Sequence, residues 1–205
     1  MNLTELYRSL ADQYGDKTGE MVFTFSDKGA MHSYIEFYEK YFQNKRNNVK
    51  LLEIGLMTGG SLHMWQKYFE QYDLVGIDIS PAWNQVRPFQ AEIEADSNIT
   101  VVFNVNSQDV NCVPQAVKDR RFDFVIDDGD HSVRGQLETF KTYWPFVETG
   151  GTYFIEDVIG PEQIHTIANF LKNYCDEHQQ DVAIEHYQGF KNGRADDQIV
   201  AITKK

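Results

Sequence analysis

Two apolar runs, each closing on an acid and separated by a glycine turn and a helix-length segment, constrain this chain more than any other feature. The first is Leu51-Leu52-Glu53-Ile54-Gly55, continued by Leu56-Met57-Thr58-Gly59-Gly60-Ser61. The second is Leu74-Val75-Gly76-Ile77-Asp78. The order reads as strand, loop, helix, strand, with the loop and the second acid at C-terminal strand ends, where open α/β sheets bind nucleotides. Glycines there let the backbone approach a ligand closely.

The loop's spacing bears on which ligand. It is Glu-x-Gly-x-x-x-Gly, not the Gly-x-Gly-x-x-Gly of dinucleotide enzymes. A pyrophosphate prefers bare amides at a helix N-terminus. A carboxylate at Glu53 would repel phosphate and suit a cation such as an α-ammonium. The pattern favours S-adenosylmethionine, and the spacing disfavours a nicotinamide dehydrogenase.

A chain of 205 residues is read as one compact domain, with a cap over 1–48 and an α/β core over 49–205. Its net charge of −12, with no basic patch in view, argues against nucleic acid or an anionic membrane as partner. Cys112 and Cys175 form no metal-type spacing and read as reduced thiols. The N-terminal stretch is polar and amphipathic, and no apolar run reaches membrane-span length. A cytoplasmic location is expected.

The spacing of Leu3, Leu6, Tyr7 and Leu10 predicts a helix over 3–13, and a second is expected over 31–43, with a loop over 15–30. Both helices would cap the cofactor or wall the substrate. Strands are expected near 49–54, 73–77, 99–105, 122–127, 151–156, 182–187 and 198–203. Helices are expected near 60–71, 83–95, 112–119, 132–144 and 161–175. This alternation predicts a doubly wound, mostly parallel sheet covered on both faces. Polar residues after its strands should converge.

Asp78 at a strand tip can accept hydrogen bonds from both ribose hydroxyls, or cap the following helix. Asn104 to Asp109, including Ser107 and Gln108, offers amides and hydroxyls to an adenine edge, or makes an ordinary turn. Phe124-Val125-Ile126-Asp127-Asp128-Gly129-Asp130-His131 puts three carboxylates and an imidazole after an apolar run, and Tyr153-Phe154-Ile155-Glu156-Asp157 repeats the arrangement. Crowded carboxylates are unfavourable unless a cation joins them, and hard oxygens suit magnesium, calcium or manganese. Asp128, Glu156 and Asp157 are the candidate metal ligands, and His131 the candidate general base. The alternatives are solvated acids at helix starts, or an Asp127 or Asp128 that only touches cofactor. Asp27 reads either as a helix cap or as part of a segment closing over the cofactor. Gly189 to Asp197 reads as the last hairpin loop.

On Ser26-Asp27-Lys28-Gly29, Leu52-Glu53-Ile54-Gly55 with Gly59-Gly60-Ser61, Gly76-Ile77-Asp78, the Asp127–His131 run and Gly150 to Asp157, the chain resembles the class I S-adenosylmethionine-dependent methyltransferases. Within them it resembles the branch of macrolide and anthracycline sugar O-methyltransferases and cephalosporin hydroxylase-like proteins. The resemblance implies a seven-stranded Rossmann-like sheet whose last strand is antiparallel. It implies cofactor binding by Glu53, Gly55 and Asp78, magnesium on Asp128, Glu156 and Asp157, and His131 as base. Asp130 stands where this branch often has Ser. The full expected cofactor set is Glu53, Gly55, Gly59, Ser61, Asp78, Ser107, Gln108 and Asp127. The expected reaction is metal-assisted O-methylation of a hydroxylated small molecule. The alternatives are a non-catalytic module of the same fold and a metal-independent methyltransferase. A homo-oligomer is left open.

Overall fold

A computed structural model describes residues 1–15 and 25–205, the side chain of Asn192 excepted. Residues 16–24 of the loop expected over 15–30 lie outside this set. Seven strands form one sheet in the order β3-β2-β1-β4-β5-β7-β6. They are β1 (Val49–Ile54), β2 (Tyr72–Ile77), β3 (Ile99–Val102), β4 (Phe122–Asp127), β5 (Val147–Ile155), β6 (Val182–Gln188) and β7 (Gln198–Lys204). Neighbours run parallel except along β7, which is antiparallel to both β5 and β6. The order reverses between β1 and β4, so a crevice opens beyond their C-terminal ends.

Side-chain alternation along the strands divides the core in two. Leu51, Phe124 and Phe154 face one layer, made by α1 (Leu3–Tyr14), α3 (Tyr34–Phe42), α4 (Gly60–Tyr68) and α5 (Gln90–Ala95). Leu52, Val125 and Tyr153 face the other, made by α6 (Gln115–Lys118), α7 (Val133–Tyr143) and α8 (Gly160–Glu177). The first layer is aromatic: Tyr38, Phe42, Trp65 and Phe154 meet with centroids 5.1 to 6.0 Å apart. The two N-terminal helices are thus one wall of the sheet, with Tyr7, Leu10, Tyr38 and Phe42 in its core.

Local chemistry sets the ends of α1. Asn2 accepts from Glu5 N at 2.8 Å while Glu5 accepts from Asn2 N, and Gly15 closes the helix at φ +83. A four-residue helix, α2 (Asp27–Ala30), precedes α3, and its cap is Ser26, not Asp27.

Prolines and a left-handed turn cut short three of the expected elements. The helix expected over 83–95 begins only at Gln90, past Pro81 and Pro88, which cannot donate to a helix ladder. The 112–119 helix splits at Pro114 into a single turn (Val110–Cys112) and α6. Strand 99–105 stops pairing at Val102, because Asn104 takes φ +61 and turns the chain toward the crevice.

Candidate active site

The loop after β1 is fixed by two close approaches. Gly55 has φ +87, and a Cβ there would lie 2.0 Å from the Asp128 carbonyl. Asp128 N in turn donates to the Ile54 carbonyl at 2.8 Å, so the loops after β1 and β4 are locked together. A Cβ on Gly60 would meet the Phe25 carbonyl at 1.7 Å, so the segment before α2 rests on the first turn of α4. Neither position tolerates a side chain.

Asp78 holds that loop as well as facing the crevice. Its Oδ2 accepts from Leu56 N (2.7 Å) and Met57 N (3.2 Å), and its Oδ1 from Ser80 N (2.7 Å). Burial pushes the carboxyl pKa up, and these backbone donors overcome it, so Asp78 stays below the usual carboxylate value and charged. Oδ2 already takes two backbone donors, so the remaining acceptor capacity lies at Oδ1.

A cavity of about 370 Å³ fills the crevice, within the range of small-ligand sites. Gly55, Ser61, Asp78, Ser107 and Gln108 line it, together with Asp128 and His131 and with Ser26 and Asp27 of the N-terminal segment. Ser107 Oγ lies 3.1 Å from Thr139 Oγ1, and Gln108 Nε2 donates to Asp130 at 2.8 Å. Glu53, Gly59 and Asp127 are not among its lining residues. Gly59 caps α4 in a left-handed conformation. Asp127 is buried on the opposite face, where the Tyr153 hydroxyl donates to it at 3.0 Å, and its pKa is pushed up to about 8, chiefly by burial. Glu53 is fully buried. Among the described residues its carboxylate makes no hydrogen bond of normal geometry, but Lys28 Nζ lies at 3.7 Å and the Ser61 hydroxyl and Trp65 indole face it. Burial raises its pKa to about 7, opposed first by Lys28 and then by the Ser61 and Trp65 donors.

At the tips of β4 and β5, ligand atoms of Asp128, His131 and Asp157 lie within 4.8 Å of one another. His131 Nε2 is 3.8 Å from Asp157 Oδ2, and the ring is 44% exposed. Asp157 takes φ +54, a conformation costly for a non-glycine residue. That turn aims its carboxylate at Tyr34, whose oxygen is 2.7 Å away, and toward His32 at 3.6 Å. Burial and then the charge of Asp128 raise the Asp157 pKa to about 7.

Glu156 goes elsewhere. Its Oε2 accepts from Lys28 Nζ at 2.5 Å and its Oε1 from the Tyr38 hydroxyl. It is therefore not part of the Asp128–His131–Asp157 group. In the sequence Lys28 stands in a motif without an assigned role, and Tyr34, Tyr38 and His32 carry none either. Their helical spacing marks Tyr34 and Tyr38 as core, but no local signal points to carboxylates more than a hundred residues away.

This fold and crevice define a Rossmann-like nucleotide-binding domain. A family model described as a methyltransferase domain matches residues 52–158, and the chain belongs to that family. It is 33% identical over 139 residues to demethylmacrocin O-methyltransferase of Streptomyces fradiae, covering 63% of this chain and 33% of that protein. It is 32% identical over 143 residues to 8-demethyl-8-(2-methoxy-alpha-L-rhamnosyl)-tetracenomycin-C 3'-O-methyltransferase of Streptomyces olivaceus, covering 65% and 34%. The chain thus spans about a third of the length of these curated relatives. Among solved structures, the MycE methyltransferase from the mycinamycin biosynthetic pathway, in complex with Mg and SAH, superposes with TM-score 0.69 at 22% identity. That match covers all of this chain and 55% of MycE. Among the described residues no helix is long and apolar enough to cross a membrane.

Proposed function

We propose that this chain transfers the methyl group of S-adenosylmethionine to a hydroxyl oxygen of a small hydroxylated acceptor, a sugar in the first instance, with a magnesium ion assisting. One juxtaposition carries the reading: the cavity behind the glycine loop is lined by Asp128 and His131, which stand beside Asp157. Asp78 would hold the ribose, Ser107 and Gln108 the base, and Gly55 and Ser61 the edge of the loop. Glu53, Gly59 and Asp127 would shape the pocket from behind.

The Asp128 and Asp157 carboxylates, with ligand atoms within 4.8 Å of each other, fit a divalent ion, and the His131 imidazole beside them is left to act as base. Asp128 and Asp157 would hold it, and when bound it would lower the proton affinity of an acceptor hydroxyl. The acceptor oxygen bonds to the methyl carbon as the carbon–sulfur bond breaks, and the electron pair stays on sulfur. His131 Nε2 takes the hydroxyl proton and, being partly exposed, passes it to solvent. The pocket aligns the two reactants.

Calorimetric titration with S-adenosylmethionine tests this. Binding is expected, and strong binding of NAD in its place would refute it. A second reading, metal-independent transfer, draws on Lys28, which already supplies a cation to Asp128 and Glu156. Turnover surviving exhaustive EDTA treatment would favour it.

A further inference from the structure

Two side-chain contacts join the loop after β3 to the loop and helix after β4. Ser107 Oγ meets Thr139 Oγ1 of α7 at 3.1 Å, and Gln108 Nε2 donates to Asp130 Oδ2 at 2.8 Å. The second contact is the more tightly built. Asp130 Oδ1 accepts from Ser132 N at 2.9 Å, and Ser132 Oγ caps α7 by accepting from Gly135 N at 3.1 Å. A Cβ on Gly135 would lie 2.4 Å from the Asp130 carboxyl. Glycine is a poor residue inside a helix, and here its bare Cα gives the carboxylate its seat. Each Asp130 oxygen thus has a fixed donor. Asp130 is exposed, so it is ionised at neutral pH, and an ionised carboxylate only accepts. The Gln108 amide must therefore turn its nitrogen to Asp130. Its oxygen is left over. Among the described residues no group donates to Gln108 Oε1, and Gln108 lines the cavity.

We propose that Asp130 is a positioning residue for base selection: it fixes the Gln108 amide so that Oε1, an acceptor, is the atom offered to the nucleoside. The inference rests on the reading above that the cavity takes S-adenosylmethionine with its base at Ser107 and Gln108. Adenine carries an amino group at C6, whose hydrogens suit Oε1. A 6-oxo purine presents an oxygen there, and two acceptors would face each other unsatisfied. An amide free to flip would take either base, offering oxygen to one and nitrogen to the other. Asp130 removes that freedom. It acts on the ligand only through Gln108, so its loss should change which base is preferred.

The test is calorimetric titration of the full chain with S-adenosylhomocysteine and with S-inosylhomocysteine, its 6-oxo counterpart. The unaltered protein should bind the 6-oxo form at least about tenfold less tightly, the cost of an unpaired acceptor. Asp130→Ser puts beside the amide a hydroxyl that both donates and accepts. It should narrow that gap by about threefold or more. Gln108→Ala should narrow it as far, and the double variant no further, because the two residues act as one device. A purely structural role for Asp130 would weaken both ligands alike and leave the gap intact. An unnarrowed gap in Asp130→Ser, or a further narrowing in the double variant, overturns the proposal. Equal binding of the two ligands by the unaltered protein overturns it while leaving the cofactor pocket standing. No binding of either ligand by the unaltered protein refutes the cofactor reading and the proposal together. Should Asp130→Ser not fold, Asp130→Asn, which can present either an oxygen or a nitrogen to the amide, decides on the same gap: narrowed supports the proposal, unnarrowed overturns it.

Discussion

At Asp78, backbone amides of Leu56, Met57 and Ser80 converge on one carboxylate, none more than 22 positions away. At Asp128 and Glu156 the partner is a lysine 100 and 128 positions away, and at Asp157 it is a tyrosine 123 away. The seat of Asp78 is thus assembled within a single βαβ unit, from main-chain donors that any sequence supplies once the turn forms. The other side needs the whole chain folded, because side chains from α2 and α3 must reach across to β4 and β5. The two sides should respond differently to substitution, to pH and to the state of the cap.

The comparison breaks if a change on one side disables the other. The largest effect is expected at His131. Replacing it by Ala should lower turnover roughly 10²- to 10⁴-fold, the usual worth of a positioned base, with the calorimetric affinity for S-adenosylmethionine unchanged. A matching loss of cofactor affinity would show that the halves are not separable. Next comes Asp78→Ala. Leaving the loop amides without their acceptor costs about 1–3 kcal/mol, and the same titration should show cofactor affinity falling by roughly tenfold to a hundredfold, with manganese affinity held. Tyr34→Phe removes the proton offered to Asp157 and to the Asp196 carbonyl. It should cost about 1–2 kcal/mol of stability in urea melts while cofactor affinity stays put.

The smallest effect is in pH. Glu53 and Asp157 are raised to about 7 and Asp127 to about 8, each chiefly by burial. The native protein therefore holds protons that the unfolded chain releases at ordinary carboxylate values, so stability falls as pH rises through these raised values. His32 and His63 are lowered by burial and oppose this only below their ordinary value of 6.5. The melting temperature should be higher at pH 6.5 than at pH 8. Asp127→Asn should flatten the slope without touching manganese affinity, since Asp127 lies on the face away from the ion group. An unchanged slope would remove Asp127 from this account.

Much of the site was legible in the order of residues alone. Glu53, Gly55, Asp78, Asp128 and Asp157 stand where strands run out, and strand ends can be read from apolar runs and the turn residues that stop them. The placement of Asp127 and Glu156 could not be read that way. Each sits beside an acid of the opposite fate, and the backbone's alternation, broken at Asp157 by its left-handed turn, decides which carboxylate faces the crevice. The shortened helix at Gln90 was within reach, since Pro88 marks its start. The motif Ser26-Asp27-Lys28-Gly29 drew attention to Lys28, but only its burial and its distances reveal a counterion.

What the amino-acid order by itself determined is the alternation of strands and helices and the set of acids that the strand ends carry. Periodicity, turn chemistry and glycine are local properties, and they act within a few residues. Only the tertiary structure decided which acids share a cation, which are buried behind the sheet, and which stand open beside His131. Coulomb forces and desolvation depend on separation in space, and the separations that matter here are set by an N-terminal segment packing against strand tips encoded more than a hundred residues later.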